Sequence, residues 1–146
     1  MPLIASAELL VAVPVETAFR HFIDFSAWDL WMPKGFRPIV GPSRPLREGD
    51  QLKMAIGPGP GLPSTLRVIR LRPQREICWG GGVPGVLVGE HSFFFAEEGG
   101  QTRMRSEEPF SGLLARGPLA ALIEREATKT GERTLRSFAD YLAKLR

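Results

Sequence analysis

From Leu119 to Arg146 the chain runs without a proline, and of its 16 glycines only Gly131 lies there. From Pro33 to Pro118 the chain is instead densely punctuated by proline and glycine. That contrast constrains the fold more than any other feature. The segment reads as one helix of roughly 40 Å at the usual rise per residue. Leu119, Leu122, Ile123, Ala127, Thr130, Thr134, Phe138 and Leu142 form one apolar-to-small stripe at helical spacing. A helix with one such face needs a surface to bury it, and in a chain of 146 residues it must cross that whole surface.

The rest of the chain supplies strands. Ile4 to Val13 ends in a β-branched apolar run and reads as a buried strand. Pro14 then suits the first turn of a helix, with Glu16 favourably placed against the helix dipole. Val15, Ala18, Phe19 and Phe22 give that helix an apolar face. A second short helix carries Trp28 and Trp31 and ends at Pro33 and Gly35. Beyond it, Gln51–Ile56, Ser64–Leu71, Glu76–Trp79, Val86–Ala96 and Thr102–Phe110 read as short strands joined by glycine turns, an antiparallel meander. The expected fold class is α+β: a curved antiparallel β-sheet wrapped around a long C-terminal α-helix, with two short helices after the first strand. Residues 1–146 are expected to form a single domain. One helix cannot fill the concavity of such a sheet, so the space between them is the candidate site.

Composition narrows the function classes. The net charge is +3, but Lys and Arg alternate with apolar residues along the strands, the pattern of a solvated sheet face and not of a nucleic-acid footprint. Arg67, Arg70 and Arg72 belong to that face. A single cysteine, Cys78, excludes an internal disulfide and lies opposite Trp79 in parity. With two histidines and no Cys/His ligand spacing, no metal site is expected. No phosphate loop or dinucleotide fingerprint occurs, so no cofactor is expected either. The apolar start, Leu3 to Val13, is interrupted by Glu8 and has no basic segment before it, unlike a signal peptide. No run is long enough for a membrane span, and the expected location is the cytoplasm.

Strand parity locates the residues that can carry chemistry. Leu87, Gly89, His91, Phe93 and Phe95 share one face, and Thr102, Met104, Ser106, Glu108 and Phe110 share another. Their apolar content makes these the inward faces, since the alternate positions hold Arg103, Arg105 and Glu107. A turn at Gly99-Gly100 pairs Glu97 with Thr102 and sets His91 opposite Glu108. That pair is either an acid–base couple or a buried, mutually satisfied polar pair that fixes register. No nucleophile or third member of a triad is identifiable. Trp28 and Trp31 pack the short helix or cap the cavity mouth, and Trp79 serves as core or as pocket wall. The expected lining is Trp31, Met54, Trp79, His91, Phe93, Phe95, Met104, Glu108 and Phe110, with Leu122 and Glu126 from the helix. The expected openings are the Gly57–Gly61 loop and the Ser111–Pro118 segment, both glycine- and proline-punctuated.

Several of these stretches carry a resemblance. The first strand leading into Pro14-Val15-Glu16-Thr17-Ala18-Phe19, then Asp24-Phe25 and Trp31-x-Pro33, resembles the opening of START-like proteins of the SRPBCC superfamily. Ile77-x-Trp79, Gly89-x-His91-x-Phe93 and Glu108-x-Phe110-x-Gly112 resemble its polyketide cyclase/dehydrase and lipid-transport branch. The resemblance spans nearly the whole chain and implies a helix-grip fold with a hydrophobic cavity. It implies, as leading function, binding or transport of an apolar or amphipathic lipid- or polyketide-like molecule, the one partner expected. A cyclase- or dehydratase-type enzyme using His91 and Glu108 is the alternative, and a co-chaperone-like interaction module with a filled cavity is a third. No catalytic set of the family matches residue by residue.

Overall fold

The structure, a computed structural model, describes residues 3–145. Its elements in chain order are β1 (Leu3–Val11), α1 (Val15–Phe22), α2 (Trp28–Trp31), β2 (Phe36–Val40), β3 (Gln51–Ile56), β4 (Leu62–Arg72), β5 (Glu76–Val83), β6 (Leu87–Glu98), β7 (Gln101–Ser111) and α3 (Ala120–Lys144). A 3₁₀ turn at Phe25–Ala27 precedes α2, and another at Leu113–Ala115 precedes α3. The seven strands form one sheet in the order β1-β7-β6-β5-β4-β3-β2, every neighbouring pair antiparallel. The meander thus runs from β2 to β7, and β1 returns to pair with β7 at the far edge. This is the α+β helix-grip arrangement expected from the sequence.

The differences, one whole strand and several element ends, have local causes. Pro14, with extended φ/ψ, is the N-cap of α1, and β1 stops at Val11 to leave room for the bend. β2 was hidden by Pro38, which a strand tolerates at a sheet edge because no ladder hydrogen bond is lost there. Gly80-Gly81-Gly82, expected to end a strand, continue β5 instead. A Cβ at Gly80 would lie 2.5 Å from Ile69 Cδ1, and one at Gly81 2.6 Å from Leu66 Cδ2, so neighbouring side chains occupy that space. Arg146, the last residue of the expected helix, lies outside the described residues. Among the described residues no helix is long and apolar enough to cross a membrane.

The core is aromatic and lies to one side of the concavity. Phe22 of α1 is ringed by Trp31, Trp79, Phe93, Phe95 and Phe138 at centroid distances of 4.8–6.0 Å, mostly tilted or edge-on, the arrangements that ring quadrupoles favour. The Trp28 indole N–H donates to the Phe22 carbonyl at 2.9 Å, tying α2 to α1. The C-terminal half of α3 closes this cluster with Leu135, Phe138 and Leu142, all buried. Leu119 and Leu122, part of the expected stripe, are 48% and 45% exposed. The first turns of α3 therefore stand off the core.

Gly131 sets how closely α3 meets the sheet. A Cβ there would lie 2.8 Å from Ser106 Oγ on β7 and 3.6 Å from the Ala7 side chain on β1. Helix propensity alone favours alanine over glycine by about 1 kcal/mol in a helix interior. Ser106 Oγ, however, is held in a buried 2.6 Å hydrogen bond to His91 Nε2. Gly131→Ala must displace it, and the unmade buried bond costs on the order of 1–3 kcal/mol. Gly131→Ala is therefore expected to lower stability, whereas in a Ser106→Ala background the same change should raise it. Urea denaturation of the four proteins of this double-mutant cycle reads the sign change; equal effects in both backgrounds would refute the close-approach account.

Candidate functional site

Between α3 and the sheet, beyond the aromatic cluster, lies a cavity of about 480 Å³. Trp79 and Phe93 belong both to the cluster and to the cavity wall, so the cluster forms the closed end. Alternation along the strands supplies the floor. Met54 and Ile56 come from β3, Ser64 and Leu66 from β4, Leu87, Gly89, His91 and Phe93 from β6, and Glu108 and Phe110 from β7. The helix supplies the roof with Ile123, Ala127, Thr130 and Thr134, spaced by three and four residues along one face. Met32 and Phe36, on either side of the α2–β2 turn, close one flank.

Of the expected lining residues, Met54, Trp79, His91, Phe93, Glu108, Phe110 and Glu126 face this cavity, and four do not. Trp31 is 2% exposed within the aromatic cluster, against Phe22, Trp28 and Phe138. Its indole N–H has no hydrogen-bond partner among the described residues. Phe95 packs on Phe19 and Phe22, and Met104 is fully buried in the same core. Parity placed both inward correctly, but distance along the strand decides the rest: β6 and β7 run from the cavity into the cluster, and positions 95 and 104 lie at the filled end. Leu122 is replaced by Ile123, because one helical residue is about 100° of rotation. Neither expected opening contributes a residue to this cavity: the Gly57–Gly61 loop borders an adjoining hollow, and the 111–118 segment borders neither. Leu113 and Leu114 donate their backbone N–H groups to the carbonyls of Gly85 and Val86, fastening that segment to the β5–β6 turn.

His91 and Glu108 are the ionisable groups deepest in the cavity. The Gly99-Gly100 turn, both residues at positive φ, joins Glu98 to Gln101 in a two-residue hairpin. The register it sets, Ser92↔Glu107 and Gly89↔Phe110, brings His91 across from Glu108, with Nδ1 3.7 Å from Oε1. Gly89 makes room for this: a Cβ there would lie 2.7 Å from Glu108 Oε2 and 2.9 Å from the Phe110 ring. On its other side the imidazole stacks on Phe93 at a centroid distance of 4.3 Å.

Ser106 is the partner that the sequence reading missed. Parity already placed it inward, but only the diagonal approach of neighbouring strands puts its hydroxyl 2.6 Å from Nε2. This buried hydrogen bond fixes the orientation of the ring. A Ser–His–Glu order results, but Ser106 is 2% exposed beneath Gly131 and does not line the cavity. It orients the ring and cannot reach a substrate as a nucleophile.

Burial pushes both groups toward their neutral forms. The His91 pKa falls to about 3 and the Glu108 pKa rises to about 7, each through desolvation. At neutral pH a neutral imidazole therefore stands beside a carboxyl group poised between acid and carboxylate. Their 3.7 Å separation is too long for a direct hydrogen bond, yet both can reach one ligand oxygen placed between them. That arrangement can orient a hydroxyl or carbonyl, or pass a proton to it.

The residues set aside in the sequence behave otherwise. Arg70 and Arg72 pair with the buried Glu76 at 3.2 and 3.7 Å on the convex face. Cys78 is fully buried there, and burial pushes its thiol pKa up, away from reactivity.

No protein-family model and no curated protein sequence matches the chain. Solved structures do. Protein NE0264 from Nitrosomonas europaea superposes with a TM-score of 0.74 at 17% identity, covering 99% of this chain and 96% of that one. The di-domain ARO/CYC StfQ from the steffimycin biosynthetic pathway gives 0.75 at 14% identity, covering 99% of this chain and 53% of its own. Ara h 8.0201 gives 0.74 at 9% identity, with 99% of each chain covered. At these identities the likeness shows the fold alone: the chain has the helix-grip architecture.

The two buried groups oppose each other in the pH dependence of stability. Glu108 holds its proton more tightly when folded, so its contribution falls as pH rises from about 4.5 to about 7. His91 resists protonation when folded, so its contribution is lost as pH falls from about 6.5 toward 3. Glu108→Gln removes the first term. Between pH 4.5 and 7 the parent should lose stability relative to the variant, at up to about 1.4 kcal/mol per pH unit. Chemical denaturation across that range measures the difference; parallel curves would mean that Glu108 titrates as in water.

Proposed function

We propose that this chain binds an apolar or amphipathic small molecule, lipid- or polyketide-like, in the cavity between α3 and the sheet. The observation that carries the reading is the cavity itself. Its volume of about 480 Å³ falls in the range of small-molecule sites, roughly 300–1,000 Å³. Its walls are mainly aliphatic and aromatic, and the His91–Glu108 pair stands at one point where a single ligand oxygen is recognised. A hollow of this size also speaks against a module whose interior is filled by its own side chains. The fold likeness to the ARO/CYC StfQ is compatible with such a ligand but adds no residue-level support.

A second reading has one observation in its favour. A carboxyl group with a pKa of about 7 next to an oriented neutral imidazole suits proton transfer, as a cyclase- or dehydratase-type reaction requires. The Ser64, Thr130 and Thr134 hydroxyls on the cavity wall donate to backbone carbonyls and not to a base, so covalent catalysis is not part of this reading.

Native mass spectrometry of the freshly purified protein is expected to reveal a retained small molecule. Ala127→Phe projects a ring from the helix into the cavity and should weaken binding of an apolar fluorescent naphthalene probe by about tenfold or more, consistent with the loss of a buried contact surface. Its midpoint of thermal unfolding should stay within a few degrees of the parent's. Unchanged probe affinity in a folded Ala127→Phe protein would place binding elsewhere. Glu108→Gln separates the two readings: a binder keeps its affinity within a few-fold, whereas an acid–base enzyme loses turnover by roughly 10²–10⁴.

A further inference from the structure

The cavity does not end at Phe36 and Ile56. A second hollow of about 420 Å³ adjoins it and shares Phe36, Ile56, Glu126 and Thr130 with the first. Its remaining walls differ in character. Lys34 enters from the turn before β2, Arg133 from α3 one turn beyond Thr130, and the Gly57-Pro58-Gly59 loop completes the rim. The loop is held in place by the Gly57 N–H, which donates to the Gly35 carbonyl at 2.9 Å. Apart from the Pro58 ring it brings no side chain that could fill the opening.

Charge distinguishes this vestibule from the inner cavity. Lys34 and Arg133 are both exposed, and neither has an ion-pair or hydrogen-bond partner among the described residues. The acidic group on the shared wall, Glu126, lies 3.8 Å from Lys129 Nζ on the next turn of α3. Two uncommitted cations therefore line the mouth of an apolar chamber, and the carboxylate beside them has a cation of its own. At the opposite, inner end stands Glu108. An anion entering head first would meet that buried carboxyl group, whose ionised form burial already disfavours. The charge order along the hollow thus favours one orientation, apolar body inward and anionic end outward.

We propose that the ligand of this cavity is an amphipathic carboxylic acid whose carboxylate is held in the vestibule by Lys34 and Arg133. This rests on the cavity reading above and adds its chemical class and direction. Arg133 offers the planar fork that matches a carboxylate, and Lys34 a movable point charge that follows ligands of different length.

The test uses a long-chain conjugated polyene fatty acid, fluorescent when sheltered from water, and the alcohol of the same chain. Titrations run at pH 8 and low ionic strength with the full chain and with a Lys34→Gln/Arg133→Gln double variant. Both residues are exposed, and circular dichroism confirms that the variant folds. The parent should bind the acid about tenfold more tightly than the alcohol, a gap that added salt narrows because the cations are exposed. The double variant should bind the acid only as well as the alcohol, with its alcohol affinity unchanged. Equal binding of acid and alcohol by the parent, or an acid preference that survives in the variant, overturns the anionic site and leaves the cavity reading standing. Failure of both probes to bind the parent overturns the cavity reading and the anionic site together.

Discussion

A single helix laid across a seven-stranded concave sheet cannot fill it, and the rest of the molecule follows from how that deficit is distributed. The aromatic side chains of α1, α2 and the C-terminal half of α3 crowd around Phe22 and fill one end. No comparable ring comes from the first turns of α3, where the roof is Ile123, Ala127 and Thr130. The fold thereby gains a close-packed half that holds it together and a hollow half that need not be packed for stability. Dense packing makes the first intolerant of volume change, and its absence makes the second available to a ligand.

The boundary between the halves is where the polar groups sit. His91 lies on Phe93 at the end of the cluster, with Ser106 behind it and Glu108 before it. In water such a histidine and glutamate attract as ions. Here burial removes that option, and each is more stable neutral. The Ser106 hydrogen bond then fixes the imidazole, and Gly131 fixes Ser106 by bringing α3 close to β7. The geometry at the cavity wall is thus held from outside the cavity, through a contact between helix and sheet.

Much of this was legible in the residues. Two-residue alternation in β6 and β7, together with the glycine turn between them, was enough to set the register and to bring His91 opposite Glu108. Proline and glycine spacing separated the strands, although Pro38 concealed β2 at the edge and the glycines of β5 read as an end. Depth along the cavity was less legible. Phe93 and Phe95 are alike in type and parity, yet the first borders the hollow and the second lies in the packed end. The partnership of His91 with Ser106 was likewise hidden, because it joins diagonal positions on neighbouring strands.

What the sequence determined alone is what depends on local periodicity and chain chemistry: a long proline-free helix, an antiparallel meander, inward and outward faces, and a histidine facing a glutamate. These are consequences of backbone geometry that repeat every two or 3.6 residues, so they can be counted along the chain. Tertiary structure decided where the interior is filled and where it is empty, which face of α3 looks inward, and which polar groups lose their water. Those outcomes depend on the rigid-body placement of α3 against the sheet, a sum over contacts distant in sequence that no local period encodes.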